Sequence, residues 1–166
     1  MAEIAIPLSQ GLVGLVDEGD AAFASLFKWH AIRSGHTFYV VRNCRALNGH
    51  HRTTVRLSRE LLNAPGDMQV DHINGDGLDN RRSNLRLATC AQNQRNQRPQ
   101  TGVSSRYRGV CWDKSSRQWH TMITVAGRRI FLGRFADEAD AARVYDDAAR
   151  LHHGEFARPN FPTEQE

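Results

Sequence analysis

The sequence predicts an α+β protein, and three observations predict it. Between Val70 and Asn96 a short apolar stretch, a polar run, a second apolar-alternating stretch and an amide-rich segment follow one another, the order strand, loop, strand, helix. Between Tyr107 and His153 three alternating runs separated by turn residues precede one helical stretch. The 166 residues are 40% hydrophobic, enough to pack cores in one or two small domains. No apolar run approaches the ~18 residues of a membrane span. The segment MAEIAIPLSQG has neither a basic n-region nor a long apolar h-region, so a signal peptide is not expected and a cytoplasmic protein is. Three cysteines, Cys44, Cys90 and Cys111, form no CxxC pair, which argues against a disulfide framework or a cysteine zinc site.

In chain order, Ile4–Ile6 and Leu12–Val16 read as short strands. Asp20 is placed to cap a helix from about Ala21 to Trp29, whose Phe23, Leu26, Phe27 and His30 fall at helical spacing. His36–Arg42 and Arg52–Leu57 read as two strands around Asn48-Gly49, a hairpin signal. Ser58–Asn63 reads as a short helix capped by Ser58, and Ala64-Pro65-Gly66 closes the segment. Trp29 is expected to pack rather than to react.

The stretch VDHINGDGLDNRRSNLRLATCAQNQRN then sets adjacent Asp71 and His72 before an Asn74-Gly75 turn. Asn84 lies twelve positions beyond His72, and Asn93 nine beyond that. This order can fold a carboxylate, an imidazole and an amide onto one small site. Asp71 and His72 point to opposite faces of a regular strand, so they share a site only where the strand ends or bends, which the Asn-Gly turn permits. Charge sharpens the picture. From Asn80 to Arg134 twelve Arg and Lys stand against the single acid Asp113, a net +11, whereas from Phe135 onward three bases face eight acids, a net −5. A basic middle and an acidic end argue for a polyanionic partner.

At these residues the sequence resembles the HNH endonuclease motif, a ββα-metal unit, in the version common in phage-encoded and homing-type nucleases. Asp71-His72 matches the family's Asp-His pair, Asn84-Leu85 its central Asn-Leu, and Asn93 its last metal ligand. The resemblance implies phosphodiester hydrolysis with His72 as the base, its imidazole largely neutral at pH 7. It implies Asn84 as the residue that pins the loop and so orients His72. Asp71 and Asn93 would hold one metal, and a hard oxygen pair favours Mg²⁺, with Mn²⁺ as the substitute. Arg81, Arg82, Arg86 and Arg95 are expected to grip flanking phosphates. Relatives of this architecture carry a His-Arg pair ahead of the motif; here Ser58-Arg59 stands in that place, and Arg59 is a further phosphate candidate.

Beyond a short linker, PQTGVSS, the runs Tyr107–Trp112, Trp119–Val125 and Arg129–Leu132 alternate with period two, and Asp137–His153 reads as a helix with an acidic first turn and Gly154 as its stop. Tyr107-Arg108-Gly109-Val110, Trp119, Leu132-Gly133-Arg134-Phe135, Ala141–Asp146 and Asn160-Phe161 resemble the AP2 DNA-binding domain, three antiparallel strands packed on one helix. The resemblance implies a sheet seated in the major groove of DNA. Alternation assigns Trp119, Thr121, Ile123 and Val125 to the helix side. It assigns His120, Met122 and Thr124 to the outer face, together with Arg108, Trp112, Arg129 and Phe131, the expected DNA contacts.

The sequence therefore divides into an α+β extension at 1–57, a nuclease core at 58–98, a linker at 99–105 and an AP2-like domain at 106–161. The function it implies is a metal-dependent endonuclease of phage or mobile-element type, acting on double-stranded DNA in a bacterial or phage-infected cytoplasm. It needs no small-molecule cofactor and no membrane, nicks with one site per chain, and works as a monomer or homodimer. The alternative is a sequence-specific DNA-binding regulator with a vestigial core.

Overall fold

The computed structural model describes residues 2–45, 52–95 and 104–161, which form four small antiparallel sheets and four α-helices. The chain divides into two units, 1–93 and 94–166. The expected hairpin tip at Asn48-Gly49 and residues 99–103 of the expected linker lie outside the described residues.

In the first unit, β1 (Glu3–Pro7) pairs with β2 (Val13–Asp17), and α1 (Glu18–Ser25) follows directly. Helix α1 is shorter and earlier than its apolar spacing suggests. The chain leaves the helix at Leu26 because Trp29 turns down into the core, where its indole N–H donates to the Ala24 carbonyl at 2.8 Å. His30 therefore sits on a strand, β3 (His30–Ser34), which pairs with β4 (Thr37–Arg45) across a turn with Gly35 at φ +62°. Asp20 does not cap α1; it lies in the first turn, which suits the helix dipole. β5 (Arg52–Arg56) completes a β3-β4-β5 sheet, and α2 (Leu57–Leu61) begins with Arg56 at its N-cap position, leaving Ser58 buried inside the helix rather than capping it.

Strand β6 (Gln69–His72) pairs with β7 (Leu85–Ala88), His72 opposite Leu85 and Asp71 opposite Arg86, and α3 (Cys90–Arg95) follows. One core joins β2, α1, β4, α2, β6 and β7: Val16, Ala24, Trp29, Val40, Leu57, Leu61, Val70 and Leu85. The loop between β6 and β7 is also stitched to the extension by backbone bonds. Leu15 N–H donates to the Leu78 carbonyl at 2.9 Å and Asn80 N–H to the Leu15 carbonyl at 2.8 Å.

In the second unit, β8 (Val110–Asp113), β9 (Gln118–Val125) and β10 (Arg128–Phe135) form one sheet with β9 in the middle, and α4 (Glu138–His153) packs on it. Asp137 caps α4 by accepting from the Ala139 and Asp140 amides at 2.8 and 3.0 Å, and Gly154 ends it at φ +55°. Asp146, 1% exposed, accepts from the Asn160 amide, the Asn160 side chain and the Phe161 amide at 2.7, 2.9 and 2.8 Å. Asn160 in turn accepts from the Arg108 amide at 2.6 Å, so a buried carboxylate ties the end of the unit to the entrance of β8.

Candidate active site and nucleic-acid surface

β6 ends at His72, where the Asn74-Gly75 turn begins. Gly75, at φ +77°, donates its N–H to the His72 carbonyl at 2.8 Å, and the Asn74 side chain accepts from the Asp76 amide at 2.8 Å. Asn84 closes the loop from its far end. Its Oδ1 accepts from the Asn74 amide at 3.0 Å, its Nδ2 donates to the Asp79 carbonyl at 2.8 Å, and its own carbonyl accepts from the Ile73 amide at 2.9 Å. These bonds span the loop from residue 73 to residue 84, and Asn84 is buried.

His72 is 5% exposed. Its Nε2 lies 3.4 Å from Asn80 Oδ1, and its ring packs edge-on against Tyr39 at 5.7 Å. Asn80, 1% exposed, directs its Nδ2 to the Leu78 and Gly77 carbonyls at 3.0 and 3.4 Å. With the amide donors directed there, the carbonyl oxygen faces the imidazole, an arrangement that suits a ring proton on Nε2. Burial holds the imidazole below its ordinary pKa, against the contact with Asn80 and the charge of Asp71. Neither Asn80 nor Tyr39 stood out in sequence: one is a further amide in a polar run, the other an aromatic on a distant strand.

Asp71 is buried, and Arg86 across the hairpin bonds its Oδ2 through Nε at 2.8 Å and Nη2 at 2.7 Å. Asn93 on α3 donates its Nδ2 to Gln69 Oε1 at 2.5 Å. Gln69 and Asp71, two apart on β6, share a strand face, so this bond ties Asn93 to the face that carries Asp71. An anionic oxygen and an amide whose N–H₂ is already engaged suit a hard cation. No group of three or more His, Cys, Asp or Glu that could hold a metal ion occurs among the described residues, and the donor set is sparse accordingly.

Four of the arginines expected to grip phosphate bond acceptors of the protein itself. Arg81 pairs with Asp79 at 2.7 Å and reaches Glu3 at 3.1 Å. Arg82 pairs with Asp20 at 2.8 Å, and its amide donates to Asp17 at 2.7 Å. Arg86 holds Asp71, and Arg59 spends its guanidinium on the carbonyls of Ala64, Pro65 and Met68. The Arg95 side chain lies outside the described residues.

In the second unit the outer face of the sheet carries Cys111, His120, Met122, Thr124, Arg129 and Phe131, by direct pairing of Cys111 with His120, Phe131 with Met122 and Arg129 with Thr124. Trp112 is not on that face. It pairs with Trp119 on the helix side, the two rings 5.0 Å apart. The alternation fails because Arg108 precedes the strand and Gly109, at φ +75°, interrupts it. Arg108 lies beside Tyr145, whose hydroxyl burial raises in pKa while Arg108 draws it down. A bulge between Phe131 and Gly133 resets the register of β10, so Arg134 stands opposite His120 on the outer face, and Phe135 turns inward. Simple alternation from Arg129 gives the reverse. The Arg134 guanidinium lies 5.4 Å from the Phe131 ring centroid.

A family model described as HNH endonuclease matches residues 63–95. A mimivirus protein named as an uncharacterized HNH endonuclease is 33% identical over 148 residues, 86% of this chain and 76% of the viral one. Protein 3.8 of Escherichia phage T7 is 33% identical over 95 residues, 57% of this chain and 77% of the phage protein. The C-terminal region is similar to plant proteins of another kind: a rice AP2/ERF and B3 domain-containing protein is 46% identical over 59 residues, 36% of this chain and 16% of its own. With a viral HNH endonuclease matched along most of both chains, and the family's motif falling on the β6-loop-β7-α3 segment that carries Asp71, His72, Asn84 and Asn93, this chain belongs to the HNH endonuclease family.

Proposed function

We propose that the protein is a metal-dependent DNA endonuclease that nicks one strand per encounter, with β6, its loop, β7 and α3 as a ββα-metal core (58–98) and residues 106–161 as an AP2-like module that fixes where the cut falls. Residues 1–57 are the extension that braces the core, and 99–105 the linker. A short linker keeps both modules on one stretch of DNA, which raises the effective concentration of each there.

The observation that carries this reading is the environment of His72. Its imidazole is buried, kept neutral by that burial, oriented by Asn80 Oδ1 at 3.4 Å, and seated at the mouth of a loop that Asn84 fastens. A neutral imidazole with its lone pair on Nδ1 takes the proton of an attacking water. The new phosphorus–oxygen bond forms as the bond to the leaving oxygen breaks. Asp71 and Asn93 are the residues that would hold the divalent ion, Mg²⁺ or Mn²⁺, which when bound neutralises charge growing on the phosphoryl and leaving oxygens. Arg86, paired with Asp71 at 2.7 Å, keeps that carboxylate compensated while buried. On the second unit, Arg129, Phe131 and Arg108 are the proposed DNA contacts, joined by Arg134. Trp112 acts through the packing of Trp119.

One site per chain supports nicking by a monomer; a double-strand cut would take a homodimer or two events. Supercoiled plasmid with purified protein tests the reading. Open circles with Mg²⁺, none with EDTA and none from His72→Ala are expected. Cleavage by His72→Ala removes the base, and binding without any cleavage of plasmid or genomic DNA supports a regulator with a vestigial core.

A further inference from the structure

Arg56 differs from the other arginines near His72. Arg81, Arg82 and Arg86 each bond a carboxylate, whereas Arg56 is exposed and no carboxylate pairs with it among the described residues. It is nonetheless held in place. Arg56 stands opposite Val41 in the β4-β5 pairing, which sets it diagonal to Tyr39, and its guanidinium lies 4.1 Å from the Tyr39 ring centroid. That same ring packs on His72 at 5.7 Å, and the charge of Arg56 acts on the imidazole.

Tyr39 cannot move away. Gly77 in the site loop approaches so closely that a Cβ there would fall 2.6 Å from the Tyr39 ring and 2.4 Å from the Phe38 carbonyl. The Gly77 amide also donates to the Thr37 hydroxyl at 3.1 Å. The loop, the ring and the guanidinium therefore form one stack that ends in a positive charge with no carboxylate partner among the described residues. A guanidinium with spare donors, oriented by an aromatic face next to a proposed general base, suits an anionic oxygen of a phosphodiester.

We propose that Arg56 is a phosphate-contacting residue of the cleavage site, contributed by the N-terminal extension and aimed by Tyr39. The inference rests on the nuclease reading for its place beside the cut, but the phosphate contact is measurable without cleavage. The test is duplex DNA binding in EDTA across a salt series, for wild type, Arg56→Ala and Arg56→Lys, beside cleavage kinetics in Mg²⁺. Arg56→Ala should flatten the slope of log K against log salt by about 0.9, the value of one phosphate contact. It should also lower kcat/KM roughly tenfold. Arg56→Lys should keep the slope and recover part of the rate. Because the side chain is exposed, Arg56→Ala should melt with the wild type. An unchanged slope overturns the contact whatever the rate does. A flattened slope with unchanged cleavage overturns its placement at the cut. Normal cleavage by His72→Ala defeats the proposed base and leaves the slope to decide Arg56.

Discussion

Asn80→Ala separates orientation of the base from its presence. The substitution removes the Asn80 oxygen 3.4 Å from His72 Nε2 and takes the Asn80 side-chain donor from the Leu78 and Gly77 carbonyls. Only the contact to Leu78, at 3.0 Å, has full hydrogen-bond length; those to Gly77 and His72, both 3.4 Å, count for less. At 1% exposure no water replaces the lost amide without rearrangement. One full and two weak bonds, with the Leu78 carbonyl still accepting from the Leu15 amide at 2.9 Å, sum to about 1–2 kcal/mol. A domain of ordinary stability, about 5–15 kcal/mol, survives that loss folded. The imidazole keeps its place on β6 but loses the oxygen that favours a proton on Nε2, and we expect cleavage to fall by roughly one to two orders of magnitude, the cost of a misplaced base. Two-bond nitrogen–proton couplings of His72 at pH 8 report the tautomer directly. Wild type should show the proton on Nε2 and Asn80→Ala a mixture, with DNA affinity retained. A wild-type ring protonated on Nδ1, or a variant with an unaltered tautomer and reduced cleavage, refutes the reasoning.

Three further expectations follow from the same structure. Gly77→Ala drives a methyl into the Phe38 carbonyl and the Tyr39 ring, and should cost about 2 kcal/mol or more in urea denaturation together with most of the cleavage rate; a wild-type midpoint would mean that the loop yields. Burial lowers the His72 pKa, so the unfolded chain takes up a proton near pH 6.5 that the folded chain resists. In EDTA the stability owed to a neutral His72 is complete above that pH and is lost as pH falls towards the lowered folded value, at up to about 1.4 kcal/mol per unit, and His72→Gln should flatten that limb of the urea-midpoint profile. Trp112→Ala should destabilise the second unit by about 1–2 kcal/mol through loss of the Trp119 contact, read as a lower melting temperature, with DNA affinity nearly kept; a large affinity loss at unchanged melting would return Trp112 to the DNA face.

The parts of the fold legible in sequence are those fixed by local order. Asp71-His72, the Asn74-Gly75 turn and Asn84-Leu85 sit within one hairpin, so spacing alone carried strand, loop and strand. What stayed hidden depends on partners far along the chain. Sequence shows the charge of Arg82, not the Asp20 that pairs with it 62 positions away. Strand β3 was masked because His30 happened to continue the helical spacing of Phe23 and Phe27, while the burial of Trp29 ended that helix. On β10 one extra residue reversed the parity, a shift that period-two reasoning cannot see; it hid Arg134. Arg56 and Tyr39 carried no signal at all, since their meaning lies in a stack assembled from β4, β5 and the loop.

The stitching of the site loop to Leu15, Asp17, Asp20 and Glu3 bears on how the catalytic unit is gained and lost. Closing contacts across more than sixty residues comes at the expense of chain entropy that local contacts have to offset first, so the loop reaches its working shape late in folding. The converse holds on unfolding. A chain that has let go of its first twenty residues has also released the backbone of Leu78 and Asn80, and with it the grip on the imidazole. Partly unfolded copies then lack the arrangement of His72, Asn80 and Asn84 on which the proposed cleavage depends.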